Sequence, residues 1–269
     1  MNFETYPFEK LANLLKDIKP NSNYEASSLT IGEPQFQTPT FIQDRLKDST
    51  QTLNKYPKSS GENYLKKAQI NFFSKRFNVD LSLDEIIPTF GTREVLFNFP
   101  QFLLFDKENP TMAFPNPFYQ IYEGSAIASR AKIIHMDMTK ENNFLVSLTK
   151  EQMEDVDLVI LNYPNNPTSA NITKDELIQW VKYAIEFDFV LVNDECYSEL
   201  YFDENKKPVS LLEVCKEANN PKFKNCLVLN SISKRSSAPG LRSGFIAGDK
   251  DILKEYMKYR TYVGCALPI

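Results

Sequence analysis

The chain is almost without histidine. His135 is the only one in 269 residues, so Ser-His-Asp or histidine-metal chemistry would have to run through it. It lies in an alternating, strand-like run and reads as structural. Paired cysteines are missing too. Cys196, Cys215, Cys226 and Cys265 are scattered over the second half, and none forms a C-x-x-C pair. That spacing matches neither a disulfide framework nor a zinc site and suits reduced thiols in a cytoplasmic protein; no bound metal is expected. No G-x-G-x-x-G follows a strand and no G-x-x-x-x-G-K-[ST] occurs, which removes the dinucleotide fingerprint and the P-loop. G-x-S-x-G and H-E-x-x-H are absent as well. The chain opens without a basic start and apolar run, and no segment nears the length of a membrane helix, so neither a signal peptide nor a membrane span is expected. The formal net charge of −4 argues against nucleic-acid binding, which needs clustered Lys and Arg.

What is present is alternation. Short apolar runs recur at 111–114, 132–136, 158–161, 189–192, 227–229 and 244–247, apolar enough for strands covered on both faces. Helical segments separate most of them: 63–77, 93–105, 119–129 and 173–187, with another at 252–262. In the 173–187 segment, Thr173 and Glu176 fit a capping box, and Leu177, Trp180, Val181 and Ala184 form an apolar stripe. The pattern predicts an α/β fold with a mostly parallel central sheet and helices on both faces. Residues 1–40, with Pro7, Pro20, Pro34 and Pro39, read as an N-terminal arm and loop, and 41–269 as one large domain.

Polar clusters follow four of the strands: Phe114 to Tyr119, Asn162 to Thr168, Asn193 to Tyr197, and Asn230 to Lys234. In open α/β sheets ligands bind beyond the carboxyl ends of strands. Parallel strands would therefore bring a lysine, a carboxylate, amides, hydroxyls and an aromatic ring to one edge. A lysine desolvated there is a nucleophile towards an aldehyde.

These clusters carry a resemblance. Ser231-Ile232-Ser233-Lys234 with Gly240-Leu241-Arg242-Ser243-Gly244 is similar to the S-x-S-K…G-x-R-x-G signature of class I/II aminotransferases. Pro164 to Thr168 resembles the family's P-N-N-P-T-G, and Asp194-Glu195-Cys196-Tyr197 its D-E-x-Y. The likeness extends upstream through Ile31-Gly32-Glu33-Pro34, Tyr56-Pro57 with Gly61, and Gly91-Thr92-Arg93-Glu94. It implies a fold-type I enzyme using pyridoxal 5'-phosphate. By resemblance Lys234 would hold the cofactor as a Schiff base and then shuttle a proton. Asp194 would pair with the pyridine nitrogen, Asn166 and Tyr197 would bond the phenolic oxygen, and Tyr119 would stack on the ring, although Phe118 and Tyr122 could pack there instead. The backbone of Gly91, Thr92 and Arg93 at a helix start, with Ser231, Ser233 and Arg242, would receive the phosphate. Tyr56 would reach the phosphate of a neighbouring subunit in a homodimer, and Gly32 would lie near the substrate carboxylate. Cys196 reads as a small buried apolar residue.

Two departures from the family pattern stand out. Ser169 replaces the glycine after P-N-N-P-T, which leaves the turn open to question. The family's arginine for the substrate α-carboxylate lies in a C-terminal small domain, and the chain is expected to end before it. Longer stretches, 31–36, 93–100 and 233–242, resemble bacterial succinyldiaminopimelate aminotransferases, which exchange an amino group between glutamate and an oxo acid. Other aminotransferases (aromatic or aspartate-like), a carbon-sulfur lyase with the same cofactor site, and a non-enzymatic regulator or inactive fragment share the same residues.

Overall fold

The computed structural model describes residues 3–25, 27 and 29–268. Met1, Asn2, Ala26, Ser28 and Ile269 lie outside the described residues, and with them parts of the expected 1–40 arm and the last position of the expected 41–269 domain. Seven strands form one sheet: β1 (Ile86–Thr89), β2 (Thr111–Asn116), β3 (Lys132–Asp137), β4 (Leu158–Leu161), β5 (Val190–Asp194), β6 (Cys226–Ser231) and β7 (Gly244–Gly248). Their order is β1-β7-β6-β5-β4-β2-β3. β2 pairs in parallel with β3 and β4, β4 with β5, and β5 with β6. β7 runs antiparallel to both β6 and β1.

The helices are α1 (Pro7–Leu15), α2 (Thr40–Asp48), α3 (Asn63–Phe77), α4 (Thr92–Leu103), α5 (Ile121–Ser129), α6 (Lys150–Asp155), α7 (Lys174–Glu186), α8 (Leu211–Cys215), α9 (Ile232–Arg235) and α10 (Lys250–Val263). Two apolar cores form on opposite faces of the sheet because successive strand residues point opposite ways. Val159, Leu161, Leu191 and Val228 join Phe73, Leu177 and Leu211 on one face. Leu158, Ile160, Val192 and Leu229 join Val95, Phe99, Tyr122 and Tyr256 on the other. Double coverage explains why β4 to β7 read as continuous apolar runs, with every residue buried.

The predicted capping box opens α7. Thr173 Oγ1 accepts from the Glu176 amide at 3.3 Å, and Glu176 Oε2 accepts from the Thr173 amide at 2.8 Å. Leu177, Trp180, Val181 and Ala184 are its buried stripe. β1 went unread in the sequence because it is four residues long and contains Pro88. Its place at the sheet edge, beside β7 only, tolerates a missing ladder donor. His135 is an exposed residue of the edge strand β3, its ring stacked on Phe118 at 5.5 Å. Ser169 occupies the turn in doubt with φ 61°, the left-handed conformation a glycine adopts freely. Its amide donates to the Asn165 carbonyl at 2.9 Å, so the turn closes with serine.

Candidate active site

The four polar clusters lie at or just beyond the carboxyl ends of β2, β4, β5 and β6, which are mutually parallel, so one sheet edge collects them. The chain leaves β2 for β3 on one side and returns to β4 on the other, and such a reversal opens a crevice at the strand ends. A cleft of about 780 Å³ sits there. It gathers Lys234, Asp194, Tyr197, Asn166, Tyr119, Thr92, Arg93, Ser231, Ser233, Arg242 and Gly32. Of the residues singled out in the sequence, Gly91 and Tyr56 do not line it. Gly91 lies one residue before the cleft-lining Thr92, whereas Tyr56 stands on the surface, 95% exposed.

Asp194 ends β5 and is buried. Burial pushes its carboxyl above the usual range, while hydrogen bonds from Cys196 and Tyr122 pull it back. Tyr122 Oη donates to Oδ2 at 2.9 Å, and the Cys196 amide donates to Oδ1 at 3.3 Å. Asn162 Nδ2 donates to the Asp194 main-chain carbonyl at 2.9 Å, and Asn162 Oδ1 accepts from the Asn166 amide at 2.8 Å. Asn162 thereby ties the turn carrying Asn166 to the strand carrying Asp194. Glu195 faces away. Its Oε1 accepts from the Leu211 amide at 2.8 Å, Ser210 Oγ at 3.1 Å and Asn193 Nδ2 at 3.1 Å. Oε2 is buried without a partner among the described residues, and burial pushes this carboxyl up to about 8. At neutral pH Glu195 therefore adds no negative charge beside Asp194.

Lys234 is half-buried in the short helix α9, directly after β6. Its Nζ donates to the Gly32 carbonyl and lies 5.7 Å from the centre of the Tyr197 ring. Burial raises the Tyr197 and Tyr119 phenols to about 12, so both are neutral donors at ordinary pH.

Opposite Lys234, α4 points its first turn into the cleft. Gly91 caps it at φ 77°, with no side-chain cap among the described residues. A Cβ on Gly91 would come within 2.2 Å of Arg242 Nη2, so only glycine lets the guanidinium lie against the helix start. Arg242 Nη1 donates to the Pro239 carbonyl at 2.9 Å. Uncapped amides, the helix dipole and a guanidinium together make a seat for a dianion. Ser231 Oγ accepts from the Ser233 amide at 3.3 Å beside it. The Arg93 side chain is exposed and reaches Tyr6, with its guanidinium 5.5 Å from that ring.

Cys196 corrects the apolar reading. It is half-buried, lines the cleft, and has its sulfur 3.1 Å from Thr92 Oγ1 and 3.9 Å from Ser231 Oγ, a polar setting between strand ends. Sequence reasoning also missed what Tyr122 and Asn162 do. Tyr122 follows Tyr119 by three residues, one helical turn. Asn162 directly follows β4. Both spacings held the signal.

A lysine, a buried carboxylate, phenols and an anion seat in one cleft fit pyridoxal phosphate. Comparisons with known proteins point to one family. Residues 25–263 match the model of aminotransferase class I and II. LL-diaminopimelate aminotransferase of Natranaerobius thermophilus is 32% identical over 97% of this chain and 67% of its own length; that of Aquifex aeolicus is 30% identical over 92% and 64%. The chain thus spans about two thirds of the length of these curated relatives. The solved structure of aminotransferase AspB from Helicobacter pylori superposes with TM-score 0.96 at 57% identity, over 100% of this chain and 71% of that one. An aminotransferase from Neisseria meningitidis gives 0.91 at 36%, over 98% and 68%. The chain belongs to the class I and II aminotransferases, the pyridoxal-phosphate-dependent family of fold type I.

Proposed function

We propose that this protein is a transaminase that exchanges an amino group between glutamate and an oxo acid, with Lys234 as its catalytic amine. The observation that carries the reading is the gathering of Lys234, Asp194, Tyr197, Asn166 and Arg242 in a single cleft. Pyridoxal phosphate, when bound, supplies an aldehyde for reversible attachment of amines and a ring that accepts electron density from the substrate. The chain supplies the rest. Arg242, the first-turn amides of α4 and the Ser231 and Ser233 hydroxyls hold the phosphate. Asp194 offers a carboxylate to the ring nitrogen. Tyr197 and Asn166 donate to the ring oxygen, and Tyr119 covers a ring face. Lys234 Nζ would hold the aldehyde carbon, with loss of water, and, once displaced by the substrate amine, would move a proton at the substrate carbon.

Three finer statements belong to the same reading. Residues 41–269 form the large cofactor-binding domain, with 1–40 as an arm over it. The working form is a homodimer, in which the exposed Tyr56 serves the neighbouring subunit's phosphate. The acceptor is the succinylated 2-amino-6-oxo dicarboxylate of the diaminopimelate route. The likeness of stretches 31–36, 93–100 and 233–242 supports that choice, and relatives near 30% identity, named LL-diaminopimelate aminotransferases, support the diaminopimelate skeleton but not its succinyl group.

The test is a half-reaction on the full chain. With pyridoxal phosphate and glutamate, the bound cofactor converts to its amine form and releases one equivalent of 2-oxoglutarate. No release with any amino donor sinks the transaminase reading. A panel of succinylated, unsuccinylated and short dicarboxylic acceptors then ranks the substrates, and preference for oxaloacetate would overturn the succinylated one.

A further inference from the structure

Asp194 sits at the centre of the proposed chemistry, yet its surroundings oppose the charge it needs. It is buried at the end of β5, and burial favours the neutral acid. The groups facing it can be named from each side. On its own strand end, the Cys196 amide donates to Oδ1 at 3.3 Å, with the thiol of the same residue beside it. From the loop beyond comes the neutral Tyr197 phenol, and from the first turn of α5 and the residues just before it come Tyr122 and Tyr119. Asn162 reaches only the main-chain carbonyl. Glu195 turns its carboxyl to the start of α8. Two side chains act on the Asp194 carboxylate, the Cys196 thiol and the Tyr122 phenol, and the Tyr122 hydroxyl donates to Oδ2 at 2.9 Å, at full hydrogen-bond strength.

Tyr122 is built for this contact. It is fully buried, and its ring packs in the core of the α4, α5 and α10 face. Its own amide bonds the Tyr119 carbonyl at 3.0 Å, and its carbonyl accepts from Ser125 Oγ at 2.8 Å. The ring meets Tyr119 edge-on at 5.9 Å and Phe114 at 6.0 Å. The hydroxyl therefore has one place to point. Burial and the neighbouring carboxylate hold its proton firmly, so it donates and does not ionise.

We propose that Tyr122 is a positioning residue for Asp194: its phenol, donating to Oδ2, holds the catalytic carboxylate in place and in its charged form. The start of α5 then serves the site twice: Tyr119, just before the helix, and Tyr122, in its first turn, both line the cleft, and Tyr122 also braces the acid. This rests on the reading of Asp194 as the cofactor's carboxylate partner. The first measurement is therefore made without cofactor.

In full-length protein carrying 13C-labelled aspartate carboxyls, the Asp194 signal is assigned by its loss in Asp194→Asn and titrated by NMR. Tyr122→Phe removes only the hydroxyl and should move the Asp194 midpoint up by about one pH unit, the size expected for one hydrogen bond to a charged group. Placing 3,5-difluorotyrosine at 122 strengthens the donor and should move the midpoint down; it also keeps the test decisive if the phenylalanine variant does not fold. Midpoints unchanged in both proteins overturn the proposal. Pyridoxal phosphate is then added, and the pH titration of the bound cofactor's absorbance should shift in Tyr122→Phe relative to wild type. A carboxyl shift with an unmoved cofactor titration overturns the positioning role. A carboxyl shift in a protein that shows no Lys234-dependent absorbance keeps the Tyr122–Asp194 coupling and overturns the cofactor reading.

Discussion

The two ends of this chain are built to different standards. From β4 to β7 every strand residue is buried, and the side chains of the cleft hang from those strands. In α1 and α2 no residue is buried, although both carry apolar side chains: Leu14 is 74% and Phe41 73% exposed. The sheet is self-sufficient because each strand finds cover on both faces. The segments flanking these helices touch the site at few points, such as Tyr6 beside Arg93 and the Gly32 carbonyl against Lys234, and the helices themselves have no core of their own. Chemistry here is anchored in the rigid part and reached over by the loosely packed part.

That contrast can be broken or sharpened by experiment. The largest effect is expected at Lys234. Lys234→Ala should abolish the absorbance of lysine-bound cofactor and all transamination while leaving unfolding by denaturant within about 0.5 kcal/mol of wild type; a persisting band would remove Lys234 from its role. In the sheet, Leu161→Ala should cost about 2–5 kcal/mol in the same unfolding assay, since the side chain is fully buried in the α3/α7 core.

The buried Glu195 gives a pH signature. Its carboxyl ionises near 4.5 when unfolded but holds its proton to about 8 in the fold. Between those values the native state carries the extra proton, so stability falls as pH rises through that window and levels off above it. Glu195→Gln should flatten that slope; an unchanged profile would show the carboxyl to be charged. Thr173→Ala, which removes the α7 cap, should cost about 1 kcal/mol. Smallest of all, Leu46→Ala on α2 should change stability by less than about 0.5 kcal/mol, against the several expected for Leu161. A larger loss would mean that the α2 surface is covered in solution.

Much of the sheet was legible because burial on both faces leaves no room for polar residues. The runs at 111–114, 158–161 and 244–247 each fall inside an observed strand. β1 was not legible, since Pro88 is permitted only by its position at an edge, a property of the assembled sheet. Thr173 and Glu176 announced α7 because a capping box is local. Among the cleft residues, Lys234, Asp194 and Asn166 could be placed by the strand-end rule. Tyr122 and Asn162 could be seen but not interpreted, because a donor is recognised by the acceptor it meets, and that acceptor lies 72 or 32 residues away. Cys196 misled for the same reason, its polar neighbours arriving from α4 and β6.

The neighbouring acids Asp194 and Glu195 also say something about precision. Asp194 ends β5 and Glu195 directly follows it turned the other way, so one acid enters the cleft and the next props α8. A slip of a single residue in β5 would still present a carboxylate to the cleft, but one with a longer stem. The width of the site is likewise set by backbone spacing. β4, β5 and β6 lie two strand steps apart end to end, about 10 Å. Insertions in the crossovers between these strands leave that gauge untouched, so the surface of this protein can diverge widely while its working dimension stays constant.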